Sequence, residues 1–183
     1  RFCIQKPYEK GKKNDYAMDV VNRLKHGELT NQDSIHFADS LKFETLKELR
    51  TVYGGGGIMP DYFVPLDTTH YTRFHRELAA KGVIIQQNLR YVDDHRKQLK
   101  KAYPSFEKFK QEFEVPQELL DQVVKEGESQ KVKPRDDDEL QRTMPLLALQ
   151  LKALIARDLW DMSEYYSIMN EDSEIIKKAL ELL

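Results

Sequence analysis

The spacing of hydrophobic residues changes near residue 67 and divides the chain into two regions. After that point, large apolar residues recur three or four positions apart, which places them on one face of an α-helix. Before it, short apolar runs alternate with turn residues, and one stretch has helical spacing. The pattern therefore predicts two domains, residues 1–66 and residues 67–183.

The first region is predicted to be a partial α+β segment with a few short strands. FCIQ at 2–5 and YFVPL at 62–66 are strand candidates, and Ile35, Phe37, Leu41 and Phe43 at a period of two suggest short extended pieces within 34–46. DYAMDVVNRLKHGEL at 15–29 has helical spacing, and Gly27 is a candidate for the end of that helix.

The second region is predicted to be a bundle of amphipathic helices, which makes the whole protein mainly α. The strongest pattern is PLLALQLKALIARDLW at 145–160, where Pro145 either starts the helix or kinks it. Each helix must bury its apolar stripe on its neighbours, which favours a compact bundle. Helices are predicted to start at Thr68 or Thr69, at Ser105 and at Pro116, and to stop or kink at Gly82 and Gly127. The acidic residues 136–138 suit a helix N-terminus. A last helix is predicted over about 173–182.

Length, composition and charge exclude some classes of protein. The 183 residues fit one domain or two small ones, and 40% of them are hydrophobic, which is enough for a core. The net charge of -2 provides no overall basic field for nucleic acid or anionic membranes. No apolar run approaches the roughly 20 residues that span a bilayer. We therefore expect no nucleic-acid partner and no membrane span.

One local basic run and one cysteine do not change this interpretation. HRKQLKK at 95–101 falls on a predicted helix and has no interleaved aromatics for base stacking, so we interpret it as a solvated face. Cys3 is the single cysteine, so it forms no internal disulfide, and its apolar neighbours favour a buried structural thiol.

The opening RFCIQKPY resembles the inside of a folded unit, and we expect the chain to be a piece of something longer.

Half of the glycines stand in the stretch VYGGGGIMPD at 52–61. A phosphate-binding loop needs Lys and Ser or Thr directly after its glycines, whereas Ile58 and Met59 follow here. Glycines also allow positive φ and close approach of another chain segment. We interpret the run as a structural crossing made of Gly54, Gly55, Gly56, Gly57, Ile58, Pro60 and Asp61.

The residues alone show no complete catalytic or metal-binding set. His70 and His75 are five positions apart, whereas zinc-binding pairs on helices need a spacing of three or four. Asp67, Asp93 and Asp94 could act as acids or bases, but nothing in the sequence marks a partner for them. We assign no catalytic, cofactor-binding or metal-ligating residue, and the remaining histidines, His26, His36 and His95, are interpreted as surface or core residues.

Two motifs at a fixed distance resemble a known protease family. RFCIQKPYEKG is followed about forty residues later by RTVYGGGGIMPDYFVPLD, as in the carboxyl-terminal processing proteases, also called tail-specific serine proteases. In that family a Pro-Ser-Gly-Arg turn, an Ile-Gln strand and a Gly-Gly-Ile-x-Pro-Asp motif end the catalytic core. Arg1, Ile4, Gln5 and residues 56–61 match these motifs. Leu49 departs from the glycine usual in the family.

The resemblance implies that the reactive groups lie outside this chain. The family cuts proteins near their C-termini with a serine nucleophile and a lysine base that must be neutral, and both precede the position of Arg1. Residues 1–66 would end the protease core, while LKALIARDLWDMSEYY at 151–166 resembles the helical extension of envelope proteases from Gram-negative bacteria. The implied role is structural or regulatory, in the cell envelope or periplasm, and protein substrates would be bound by the parent enzyme.

A stand-alone helical protein-binding module is the alternative. The apolar stripes at 84–99 and 147–159 could form a groove for a partner peptide or a second copy, although ordinary core packing is the favoured explanation. Self-association therefore stays open, and the sequence does not identify the substrate or the cleavage preference.

Overall fold

A computed structural model describes residues 9–36, 38–54, 62–67, 69 and 71–183, apart from the side chain of Gln32. The chain divides into two compact units, Arg1–Asp67 and Thr68–Leu183. The second unit is helical and the first combines a helix with a short antiparallel pair of strands. The prediction of a mainly α fold with a helical C-terminal part is therefore confirmed.

The first unit contains one α-helix and, among its described residues, one pair of strands. Helix α1 (Lys13–Lys25) agrees with the helical spacing, and Gly27 follows it with a φ of +82°. Strand β1 (Lys42–Glu44) pairs antiparallel with β2 (Thr51–Tyr53), with Phe43 opposite Val52. Turns of 3-10 helix lie at Gln32–Ser34 and Asp39–Leu41.

Two strand predictions for the first unit have different outcomes. FCIQ lies outside the described residues. The prediction of a strand at 62–66 is wrong, because this segment is irregular and its described backbone contact is a hydrogen bond of 2.8 Å from Leu66 N to Leu29 O. Pro65 contributes to this outcome, since proline has no N–H to donate to a strand ladder.

The second unit is an array of helices joined by short loops. Gly82, with a φ of +72°, separates the first two helices in a left-handed conformation that glycine adopts without strain. The helices are α2 (Arg73–Ala80), α3 (Val83–Ala102), α4 (Phe106–Glu112), α5 (Gln117–Ser129), α6 (Asp137–Leu159), α7 (Met162–Met169) and α8 (Glu174–Glu181), with a 3-10 turn at Asn170–Asp172 between the last two.

Side-chain caps start most of these helices. Ser105 Oγ accepts from Lys108 N and Pro116 stands directly before α5, which confirms both predicted starts. The predicted cap at Thr68 or Thr69 is wrong, because Thr72 Oγ1 accepts from His75 N and starts α2 there. Asp136 starts α6, so Pro145 lies inside that helix. Helix α7 was not predicted.

The hydrophobic core of the second unit is built around α6. This helix buries the apolar stripe that the sequence predicted, including Leu147, Leu151 and Ile155. Helices α2, α3, α4, α5 and α7 contribute buried side chains to the same cluster, among them Phe74, Leu78, Ile84, Val92, Phe109, Val123 and Ile168. Both stripes that could have formed a groove thus supply core residues, although Ile85 and Leu89 on α3 remain exposed.

Gly127 lies inside α5 and permits a close contact between two helices. A Cβ atom at this position would lie 2.5 Å from Cδ2 of Leu78, which is buried in α2. The stop predicted near Gly127 lies about half a turn too early, since the helix continues to Ser129. The absence of a side chain serves packing here and does not end the helix.

We expect residues 68–183 to unfold cooperatively when they are expressed without the first unit. Their buried hydrophobic residues form one cluster within the unit, so the main source of stability is retained. Urea unfolding should give coincident transitions by far-UV circular dichroism and by the fluorescence of Trp160, which packs on Phe106 and Phe109. Non-coincident transitions and binding of a hydrophobic dye would contradict an independent domain.

Candidate functional site

Gly54 is the first residue of the predicted glycine crossing, and it lies within the described part of the chain. Gly54 follows β2, is buried, and donates from its backbone N to Leu41 O at 2.8 Å. Gly55, Gly56, Gly57, Ile58, Pro60 and Asp61 lie outside the described residues, as do Arg1, Cys3 and His70. The structural role of the crossing therefore stays a prediction.

The candidate histidines and aspartates of the second unit lie in separate surroundings. His75 is buried and its Nε2 lies 2.8 Å from Oε1 of Gln150, whereas His95 stacks on Tyr91 with ring centroids 4.4 Å apart. Asp93 and Asp94 are exposed on α3. Among the described residues no three His, Cys, Asp or Glu side chains form a group that could hold a metal ion.

A serine and a lysine that the sequence did not connect lie in contact in the second unit. Lys110 Nζ in α4 is 3.0 Å from Ser167 Oγ in α7. Serine and lysine form the reactive pair of several hydrolases, provided that the lysine is neutral and can accept the serine proton. The surroundings of Lys110 therefore decide whether the contact can support catalysis.

The contacts of Lys110 Nζ are those of a hydrogen-bond donor. Besides the serine hydroxyl, Nζ contacts Ser167 O at 3.3 Å and forms an ion pair with Glu171 Oε1 at 2.8 Å. An ammonium group has three donors and no acceptor, and these three contacts use all of them. Lys110 ties α4 to α7 and the following 3-10 turn, and its contacts are those of a structural donor and not of a general base.

Lys152 extends this network to α6. Its Nζ donates to Lys110 O at 2.8 Å. Burial is the main cause that lowers the pKa of Lys152, with a further contribution from the charge of Lys110, while Glu171 and Glu114 act in the opposite direction. The pattern of residues gave no signal for this network, because its members belong to helices that are distant in sequence.

The most buried carboxylate in the described part of the chain is Glu139, near the start of α6. It is 5% exposed and accepts from the backbone N of Arg135 at 2.8 Å and of Phe74 at 3.2 Å. Thr143 Oγ1 contacts Glu139 O at 2.6 Å and Thr72 Oγ1 at the same distance. The carboxylate thereby binds the first turn of α2 to the first turn of α6.

Electrostatics favour the charged form of Glu139. Burial acts to raise its pKa, but hydrogen bonds from the backbone of Arg135 and Phe74, together with the charges of Arg73 and Arg135, outweigh burial and hold the pKa below its usual value. Arg73 Nη2 lies 3.7 Å from Oε2. Because both carboxylate oxygens accept hydrogen bonds, the group stabilises the helix junction and is not poised for proton transfer.

An open groove of about 390 Å³ runs along the outer side of α6. Its lining combines one arginine and three apolar residues of α6 with two acidic residues of the 3-10 turn, namely Arg142, Pro145, Leu146, Leu149, Glu171 and Asp172. Arg142 is held by Asp138 at 3.1 Å. The lining contains no histidine, cysteine or serine, so the groove offers surface for contact but no nucleophile.

Comparisons with known proteins identify one related family. Residues 74–161 match the model of a family of unknown function (DUF8443). The match runs from the first turn of α2 to Asp161, which caps α7, and so lies wholly in the second unit. No curated protein and no solved structure matches the chain. In the described part of the chain, no helix combines the length and apolar character needed to cross a membrane.

We expect the substitution Glu139→Gln to lower the free energy of unfolding by about 1–3 kcal/mol at pH 7, because two backbone N–H groups lose a charged acceptor. Asp138→Asn is the matched control, since Asp138 is exposed in the same turn and its loss should cost less than about 1 kcal/mol. Urea unfolding monitored by circular dichroism measures both. Equal losses for the two variants would contradict the assigned role of Glu139.

The difference between wild type and Glu139→Gln should also depend on pH. Since the pKa of Glu139 is lowered in the folded state, its charge contributes stability above the ordinary value of 4.5. This contribution disappears as the pH falls through the lower folded pKa. The two proteins should therefore converge in stability below pH 4.5 and remain separated by a constant amount from there to pH 7.

We expect Lys110→Met to destabilise the protein by about 1 kcal/mol, because Glu171 and Ser167 lose a shared cation at a partly exposed site. Lys108→Met, on the same helix and paired with Glu112 at 3.8 Å, should change stability less. Ser167→Ala should leave labelling of the longer gene product by a serine-reactive probe unchanged. Loss of labelling in Ser167→Ala would show that this serine is reactive.

Proposed function

We propose that this chain is the C-terminal region of a carboxyl-terminal processing serine endopeptidase. Residues 1–66 complete its catalytic core, residues 67–183 form a helical domain that supports or regulates that core, and the serine and lysine of the reaction precede Arg1 in the parent protein. The chain alone is inactive in this proposal. The order and spacing of the RFCIQKPYEKG and VYGGGGIMPD motifs support it.

The observation that carries the proposal is the exposure of apolar side chains in the first unit. Helix α1 contains no buried residue, and Val20 on it is 60% exposed. Leu46 and Leu49 lie in the connection between the strands and are exposed at 92% and 68%. Among the described residues of this unit no hydrophobic side chain is buried.

The burial among the described residues of the first unit is not enough for a domain that folds by itself. Ordering the backbone costs roughly 1–2 kcal/mol per residue, and burial of apolar surface is the main term that offsets this cost. A two-stranded sheet also needs further strands or a packed helix for stability. The first unit therefore has the character of the edge of a larger core, as the family resemblance implies.

The contact between Ser167 and Lys110 does not supply a competing active site. The contacts of Lys110 Nζ with Ser167 and Glu171 use it as a donor, which is a structural role. The proposal accordingly places substrate cleavage in the parent enzyme, which acts on proteins near their C-termini. It also places the enzyme in the cell envelope or periplasm of a Gram-negative bacterium, on the basis of the family resemblance.

The proposal is tested by labelling the longer gene product with a serine-reactive probe. We expect the probe to modify a serine that precedes Arg1, and we expect the 183-residue chain alone to be neither labelled nor active on an unfolded protein substrate. Replacing the modified serine by alanine should abolish cleavage. Cleavage or specific labelling by the 183-residue chain would overturn the assignment, and so would a reading frame that opens at Arg1.

A stand-alone helical protein-binding module is the second candidate. The match to the family of unknown function favours it, because this match is confined to the second unit and covers helices that share one core. A module of this kind would leave the longer gene product without peptidase activity. The labelling experiment therefore separates the two candidates.

A further inference from the structure

Four exposed cations lie where the loop between α5 and α6 passes α2. Lys81 follows the last residue of α2, and Lys131, Lys133 and Arg135 belong to the loop. We define the basic strip as these four residues. Their side chains form no ion pair with any residue in the described part of the chain. A row of cations without acidic partners attracts molecules of the opposite charge.

Hydrogen bonds hold the loop of the basic strip along α2. Lys81 Nζ donates to Gln130 O at 3.0 Å at the end of this helix, and Arg73 Nη2 donates to Lys133 O at 2.9 Å at its start. Between these two points Val132 is 2% exposed and anchors the loop in the hydrophobic core. The backbone that carries the cations is therefore fixed before a partner binds, which lowers the entropy cost of binding.

Lys131 has a backbone conformation that glycine adopts more easily. Its φ is +63°, and the bonds from Lys131 N to Glu128 O at 3.0 Å and from Val132 N to Gly127 O at 2.9 Å form the motif that commonly ends a helix at a glycine. A residue with a Cβ atom is strained there. The ammonium group of Lys131 makes no hydrogen bond or ion pair among the described residues, so no such contact within the fold offsets this strain. The strain therefore indicates that the side chain acts on another molecule.

The surroundings of the basic strip limit which anion it can bind. Asp136, Asp137 and Asp138 follow Arg135 directly and would repel a long polyanion that extended past the strip. The strip itself contains no aromatic side chain on which a nucleic-acid base could stack. It runs beside the 8 residues of α2, a length of about 12 Å, which corresponds to about four residues of an extended peptide. These features fit a short acidic segment of a protein.

We propose that the basic strip binds a short acidic segment of a partner protein, whose carboxylates pair with Lys131, Lys133 and Arg135. Exposed charge pairs are individually weak and are screened by salt, so the binding is reversible and decreases steeply as the ionic strength rises. All four residues of the strip belong to the second unit. The interaction therefore does not require peptidase activity of the parent protein.

The decisive experiment titrates the full chain into a fluorescent peptide of alternating glutamate and serine and follows the fluorescence anisotropy. At about 20 mM salt we expect half-saturation below about 500 μM, and about tenfold weaker binding when glutamine replaces glutamate in the peptide. The double variant Lys131→Gln/Lys133→Gln should bind the acidic peptide about tenfold more weakly. Lys97→Gln/Lys101→Gln is the matched control, because it removes two exposed charges from the α3 region, and it should change the affinity less than about twofold.

The variant Lys131→Gly separates binding by this side chain from the stability of the fold. Glycine relieves the strain, so the thermal midpoint of unfolding should rise by about 2–4 °C while the affinity for the acidic peptide falls about threefold. Equal binding of the glutamate and glutamine peptides overturns the proposal, and so does an equal loss of affinity in the two double variants. A thymidine oligonucleotide that binds more tightly than the peptide overturns the assignment of a protein segment as the partner.

Discussion

The second unit depends on the burial of one face of α6 and on polar contacts that hold this helix at both ends. Near its start, Glu139 accepts backbone hydrogen bonds from Phe74 in α2 and from the loop residue Arg135. Near its end, Asp158 Oδ2 accepts from Asn88 Nδ2 in α3 at 2.7 Å, and Asp158 O accepts from Arg96 at the same distance. Hydrophobic burial provides most of the stability but has little direction. The polar contacts at the two ends therefore fix where α6 lies along its neighbours.

The prediction from sequence succeeded where one local signal determined the structure. The apolar stripe of α6, the caps at Ser105 and before α5, and the helix of the first unit each follow from residues a few positions apart. Pro145 did not decide between starting and kinking the helix. Proline has no N–H for the backbone carbonyl four residues earlier, but Pro145 is exposed inside α6, so solvent can donate to that carbonyl instead. The acidic residues before it, and not the proline, determine where the helix starts.

The prediction failed where contacts distant in sequence decided the outcome. Gly127 looked like a helix end, yet the approach of Leu78 from another helix explains the missing side chain. The cap of α2 lies at Thr72, whose hydroxyl also contacts Thr143 in α6. The contact between Ser167 and Lys110 likewise requires two helices to meet. No spacing rule finds such pairs, because they depend on the packing of the whole unit.

The two units differ in how far their own residues can stabilise them, and this difference bears on function. The second unit has a continuous core and leaves one helix face uncovered, whereas the described part of the first unit has no buried hydrophobic side chain. A larger core that covers the first unit, as the proposed function requires, would account for this difference in burial. The burial of the described residues and the motifs that resemble the protease family are different properties of the chain, and each supports that proposal.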